Sequence, residues 1–290
     1  MPLRIFVVVA TVGRARITAE TVGRLALQTR QPDGILVVGA SPADVEGVAE
    51  AISKPEVALA EKGLCKQRNR SLDLLRDRAD VIVFLDDDYV AAPEFIAGVE
   101  QVFSERPDVV GVTGRVIADG VHGAGFSVEE AIAFIEADQP PPPSDRPIEA
   151  LYGCNMVVRL GATDGLRFDE ALPMYGWQED IDFTYQLGRR GKLIKSTVLR
   201  GVHMGAKGGR SPGKRLGYSQ IANPVYLLRK QTIPPTLAWR LMRQNLLSNL
   251  VRSVKPEPSI DRRGRAAGNL MAIADVITGR MDPRRILDMN

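Results

Sequence analysis

The chain has 290 residues, 44% hydrophobic and 25% charged, enough to bury a large core and unlike a disordered or fibrous chain. Two distant cysteines, Cys65 and Cys154, argue against a disulfide framework or a thiolate zinc site, and no apolar run approaches the ~20 residues that cross a bilayer. The net charge of +3 is unevenly spread: from Arg200 onward there are 17 Lys/Arg against 5 Asp/Glu, so the C-terminal third favours an anionic partner.

In chain order, Leu3 to Ala10 reads as a buried strand, closed by Thr11-Val-Gly-Arg14, and the apolar spacing of Ile17, Val22 and Leu25 predicts a helix to Gln28. A short strand at Ile35–Val38, a helix over Val45–Ile52, a strand at Val57–Ala60 and a helix over Leu64–Arg76 follow. This alternation predicts a parallel sheet with helices on both faces. Val81 to Leu85 is a run of β-branched and large apolar residues, expected as a covered strand, and it runs straight into Asp86, Asp87 and Asp88. In open α/β sheets the carboxyl edge is where ligands bind. Strand alternation puts Asp86 and Asp88 on one side and Asp87 on the other. Two carboxylates without thiol or imidazole next to them suit Mg2+ or Mn2+ with substrate phosphates completing the shell; the plainer reading is an acidic cap for the helix that Pro93 opens.

Beyond it come a strand region at Asp108–Ala118, a proline run at Pro140–Pro143 read as a surface crossing, and a strand from Leu151 to Arg159. Met174-Tyr-Gly-Trp-Gln-Glu-Asp-Ile-Asp182 leads into a helix stopped near Gly191, then Leu193–Leu199 forms a strand before His203. Asp180 at a helix start stays ionised beside the dipole, as a general base must, although acids favour that position for the dipole alone. Tyr175 and Trp177 offer aromatic faces to a sugar ring. Residues 206–215 are glycine-rich and basic, expected as a loop that closes over a diphosphate through cations including Lys214 and Arg215, or as an open solvated loop. Leu237 to Val254 and Ala266 to Thr278 predict two basic amphipathic helices, either packed as a cap or lying on a membrane surface.

Phe84-Leu-Asp-Asp-Asp-Tyr89 resembles the D-x-D region of family 2 glycosyltransferases of the GT-A fold. Thr11 and Arg14 resemble the family's first turn, Gly63-Leu-Cys-Lys-Gln-Arg-Asn-Arg70 its Gly-x-x-x-x-Arg-Asn segment, Arg167-Phe-Asp-Glu170 its Gly-Phe-Asp-Glu turn, and Glu179-Asp180 its Glu-Asp pair. The likeness covers roughly residues 3 to 230. It implies a GT-A-like (Rossmann-like) α/β fold with a mostly parallel sheet. Residues 1–230 form the catalytic unit (1–118 nucleotide-binding, 149–205 acceptor-binding), with 231–290 as a helical extension. The implied activity is transfer of a sugar from a nucleotide diphosphate sugar to a saccharide or lipid-linked acceptor, with inversion.

The resemblance implies Asp180 as general base. It implies Asp86, Asp88 and His203 at an Mn2+ or Mg2+ ion; a surface histidine is the alternative for His203. Thr11, Arg14, Arg68, Asn69, Asp86, Asp87, Lys214 and Arg215 are implied at the nucleotide sugar, and Tyr175, Trp177 and Glu179 at the acceptor. Arg68 reads equally as an exposed helix charge. The family's nucleobase-reading Asp is replaced here by Gly39-Ala40-Ser41. The competing readings are a nucleotidyltransferase, disfavoured by the poor turn after the first strand, and a non-catalytic nucleotide- or polyanion-binding protein. Nucleic acid is not the expected partner. The expected location is cytoplasmic, with contact to the inner membrane face as the open question.

Overall fold

The computed structural model describes residues 2–206, 213–254 and 260–289. Its centre is a nine-stranded sheet. β1 (Ile5–Thr11), β2 (Gly34–Gly39), β3 (Glu56–Leu59) and β4 (Val81–Asp86) are parallel and lie in the spatial order β3-β2-β1-β4. β1 and β4 are buried over nearly their whole length, which is why both read as uninterrupted apolar runs. The crossovers carry α1 (Ala15–Gly23) with a 3-10 turn to Leu27, and α2 (Leu64–Leu75).

Past the carboxylates the chain forms β5 (Tyr89–Ala91), α3 (Phe95–Glu105), β6 (Val109–Asp119), α4 (Val128–Ala137), β7 (Asp145–Pro147) and β8 (Asn155–Arg159). β8 inserts between β4 and β6, antiparallel to both. α5 (Glu179–Leu187) precedes β9 (Lys192–His203), which runs parallel to β6 and antiparallel to β5 and β7. The parallel arrangement thus holds for the first four strands, and most pairings of the second half are antiparallel. The chain ends in α6 (Gly213–Arg229), α7 (Pro235–Val254) and α8 (Arg262–Ile277).

Two local expectations change. Residues 45–52 do not form an α-helix: a 3-10 turn at Pro42–Val45 passes into irregular turns, because Gly47 takes a left-handed φ of 71° that a helix cannot accommodate. α4 was not anticipated, yet its start carries a full capping box, Ser127 with Glu130. α6 bridges two regions. Its backbone touches α8, since a Cβ at Gly217 would sit 2.1 Å from the Arg265 carbonyl. Its outer end binds the sheet unit through Lys230, which pairs with Asp169 at 2.7 Å and Asp182 at 2.8 Å.

Candidate active site

The site begins where β4 stops. Asp86 ends the strand, and its N–H donates to the Cys154 carbonyl of the adjacent β8 segment. The turn through Asp87 and Asp88 then feeds β5, whose pairing sets Tyr89 opposite His203 on β9. That register brings His203 beside the carboxylates: Nε2 lies 3.3 Å from Asp88 and 3.7 Å from Asp86. The expected alternation is present. Asp86, Asp88 and His203 place one donor atom each within 4.8 Å of one another, while Asp87 turns away to accept a hydrogen bond from Thr11 Oγ1 at 2.8 Å and to pair with Arg14 at 2.6 Å.

This donor set fits a hard divalent cation: two carboxylates and one imidazole converge, and His203 keeps Nε2 toward the carboxylates because its Nδ1 is engaged by Asp119 at 3.1 Å. Asp119 also accepts from the Tyr152 hydroxyl at 2.9 Å. Burial alone would lower His203, but hydrogen bonds to Asp119 and Asp88 outweigh it and raise the imidazole to about 10. A pull of that size shows how strongly the pocket calls for positive charge. Asp119 was missed from sequence; it stands at the end of β6, and only the β6–β9 register carries it to His203.

Arg68 is neither exposed nor pointed at open solvent. It occupies the buried stripe of α2 with Leu72 and Leu75. Its guanidinium joins Glu179 at 2.5 Å, Asp86 at 3.3 Å and the Gly153 carbonyl at 2.9 Å. Glu179, expected at the acceptor, is therefore the buried counter-ion of Arg68. Burial pushes its carboxyl up, and Arg68 opposes that push. Asn69, expected at the nucleotide, instead holds the Phe168–Glu170 turn: Nδ2 donates to the Phe168 carbonyl and to Glu170, and Oδ1 accepts the Phe168 N–H. Asp182 is buried against Lys230.

Asp180 lies in the first turn of α5. Oδ2 accepts the Gly153 N–H and Oδ1 the Ile181 N–H, at 2.9 and 2.8 Å. A Cβ at residue 153 would come within 3.1 Å of Oδ2, so glycine there lets the β8 approach cradle this carboxylate. Burial raises Asp180 above its ordinary value while the two N–H donors hold it down. Asp180 and Asp86 line one cavity of about 770 Å³, together with Tyr175 and Trp177. A second cavity of about 560 Å³ shares Asp86, Tyr175 and Trp177 and adds Asp88, His203 and Arg14. Its far wall comes from α6 and α7 through Gln220, Leu241 and Asn245, a contribution no motif signalled. A third, of about 170 Å³, lies among Thr11, Arg14, Gly63, Gln67 and Asp87. Asp44, close to the missing base-reading Asp, is taken by Ser41 and by the N–H groups of Gly13 and Ala40.

Arg215 is not at the carboxylates: its guanidinium binds the Met289 carbonyl, because α6 packs beside the C-terminal segment. Lys214 lines none of the three cavities at the carboxylate edge. The centre of the expected diphosphate loop, including Lys207 and Arg210, lies outside the described residues.

The carboxyl edge of this mixed sheet presents an Asp-Asp-His cluster, and its Asp86 shares a cavity with the helix-borne Asp180; similarity to known proteins places such a chain in the glycosyltransferase class. Residues 6–147 match the family model for glycosyl transferase family 2, and the fold is that of solved GT-A glycosyltransferases. The glucosyl-dolichyl phosphate glucuronosyltransferase of Haloferax volcanii is 27% identical over 128 residues, a match covering 41% of this chain and 40% of the relative. The chain thus spans less than half the length of that curated relative. Among solved structures, the mannosyltransferase PcManGT from Pyrobaculum calidifontis, in complex with GDP-Man and Mn2+, is 13% identical with a TM-score of 0.57, covering 100% of this chain and 89% of that one. TarS of S. aureus with UDP-GlcNAc is 15% identical with a TM-score of 0.59, covering 98% and 83%. At such identities the likeness is one of fold.

Proposed function

We propose that this chain transfers a sugar from a nucleotide diphosphate sugar to an acceptor hydroxyl, with inversion, and that Asp180 is the general base. The observation that carries the reading is the shared cavity: Asp86 of the cation cluster and Asp180 of α5 face one space. A divalent ion held by Asp86, Asp88 and His203, Mn2+ or Mg2+, would supply charge to neutralise the diphosphate leaving group. Thr11 and Arg14 fix Asp87, and the small cavity they border offers the nucleotide a place beside the cluster. Tyr175 and Trp177 stand between the cavities, where a ring face would stack. Asp180, oriented by two backbone N–H groups, accepts the acceptor proton as the new bond forms. A lipid-linked acceptor is favoured over a free saccharide, in line with the dolichyl phosphate substrate in the curated relative's name.

The test is nucleoside diphosphate release across a panel of nucleotide sugars that includes GDP-mannose and UDP-GlcNAc, with Mn2+, with Mg2+ and with EDTA. Donor binding should need the metal. Asp180→Asn should lower turnover ~10²–10⁴-fold with donor affinity kept. Equal donor affinity in EDTA would remove the metal role, and near-normal turnover of the variant would remove the base.

A further inference from the structure

α7 and α8 are apolar on two sides, one in the core and one in solvent. A helix that merely caps a domain turns its apolar stripe inward. In α7 the residues Trp239, Arg243, Leu247, Leu250 and Val254, spaced by threes and fours, form one row, and that row faces solvent. Trp239 and Val254 of the row are 67% and 83% exposed, and Val251 beside it is 70% exposed. α8 repeats the pattern: Arg263, Ala267, Leu270, Ala274 and Ile277 form an exposed row, with Ile277 at 79%. Of the fifteen large apolar side chains exposed among the described residues, seven sit on these two helices, too many for scattered surface leucines.

The inward faces combine core residues with amides: Leu237, Ala238, Met242 and Ala272 join the main core, and Leu241, Leu246 and Ile273 pack against it. Asn249 of α7 donates to Gln220 of α6 and to Asn269 of α8, and Arg262 reaches Asn249 from α8. Amides and core residues together hold the three helices, and a second apolar row remains on the outside.

The charge on those helices is of one sign. α7 contains three arginines and no carboxylate, and the single acid of α8, Asp275, is buried against Arg285 and the Tyr218 hydroxyl. Exposed Arg240, Arg243 and Arg263 lie within or beside the apolar rows. Large apolar side chains edged by arginines, with no acid among them, complement the boundary between acyl chains and anionic headgroups. No helix is long and apolar enough to cross a bilayer, so the geometry is that of helices lying on one.

We propose that the outward faces of α7 and α8 dock this chain on an anionic lipid surface. The docking stands independently of the sugar-transfer reading. One consequence rests on that reading: α7 turns Leu241, Asn245 and Ser248 into the cavity that holds His203 and Asp88, so a docked α7 would set the acceptor side of the cleft at the lipid surface.

The experiment is co-sedimentation of the full chain with vesicles of phosphatidylcholine alone and of phosphatidylcholine mixed with phosphatidylglycerol. Binding should appear with the anionic vesicles and weaken with salt. Leu247→Asp/Val251→Asp should reduce it by roughly tenfold or more, since the apolar insertion is lost. Arg243→Glu should weaken it roughly fivefold or more. Both variants should keep the native circular dichroism and melting temperature, as the substituted positions are exposed, and both should hydrolyse donor as the parent does. Three outcomes overturn the proposal: the parent staying in the supernatant with anionic vesicles, the Asp variant sedimenting like the parent, or the parent forming a dimer in the ultracentrifuge that the same substitutions dissolve, which would make this face an interface between copies.

Discussion

The carboxylate edge of the sheet and the C-terminal helices handle polar groups in opposite ways. At the edge, charges are taken into an apolar framework and neutralised pairwise: Asp87 by Arg14, Glu179 by Arg68, and Asp88 by His203. In the helices, neutral amides lie among the core residues inside, and a second set of apolar groups stands outside in solvent. Buried charge held in this way preorganises a site but leaves any partner costly to remove, whereas an outward apolar row costs the fold little to change. The contrast separates a surface selected by chemistry inside the molecule from one selected by what lies beyond it.

The sharpest way to break the comparison is Arg68→Met. It leaves Glu179 buried without its counter-ion, and loss of one partner of a buried pair costs about 3–5 kcal/mol. Urea unfolding should show that loss. A variant as stable as the parent would mean that Glu179 is neutral and the edge less charge-dependent than described. Asn249→Leu probes the inside of the helices. It removes the bonds that Asn249 makes with Gln220, Asn269 and Arg262, and about 1–3 kcal/mol should be lost in the same measurement. No loss would show that the amide network is incidental. The smallest effect belongs to the outward row: Leu247→Ser, at a position 54% exposed, should shift stability by no more than about 0.5 kcal/mol. A larger change would place that row in a packed interface of the free protein.

Sequence by itself determined the parallel β1–β4 framework, because strands covered on both faces must be continuously apolar and so announce themselves. It also determined the split of the Asp triplet, since alternation along a strand leaves Asp86 and Asp88 together and sends Asp87 to Thr11 and Arg14. A dipeptide at a helix start likewise marked Glu179 and Asp180. The resemblance gave Asp180 the general-base role and put Glu179 at the acceptor. Only the tertiary structure sends Glu179 inward to Arg68 and lets Asp180 share a cavity with Asp86, because one residue step on a helix turns the side chain by ~100°. Asn69 and Arg215 were drawn toward the ligand by motif and by charge, and packing assigned them to Phe168 and Met289 instead. Asp119 and the α7 wall of the second cavity come from segments far from any motif, joined to His203 by strand register and helix packing. The exposed rows of α7 and α8 needed the structure for a simpler reason. A helical apolar pattern states that apolar residues recur; only packing decides which of them enter the core, as Leu237 and Met242 do, and which are left in solvent, as Trp239 and Leu247 are.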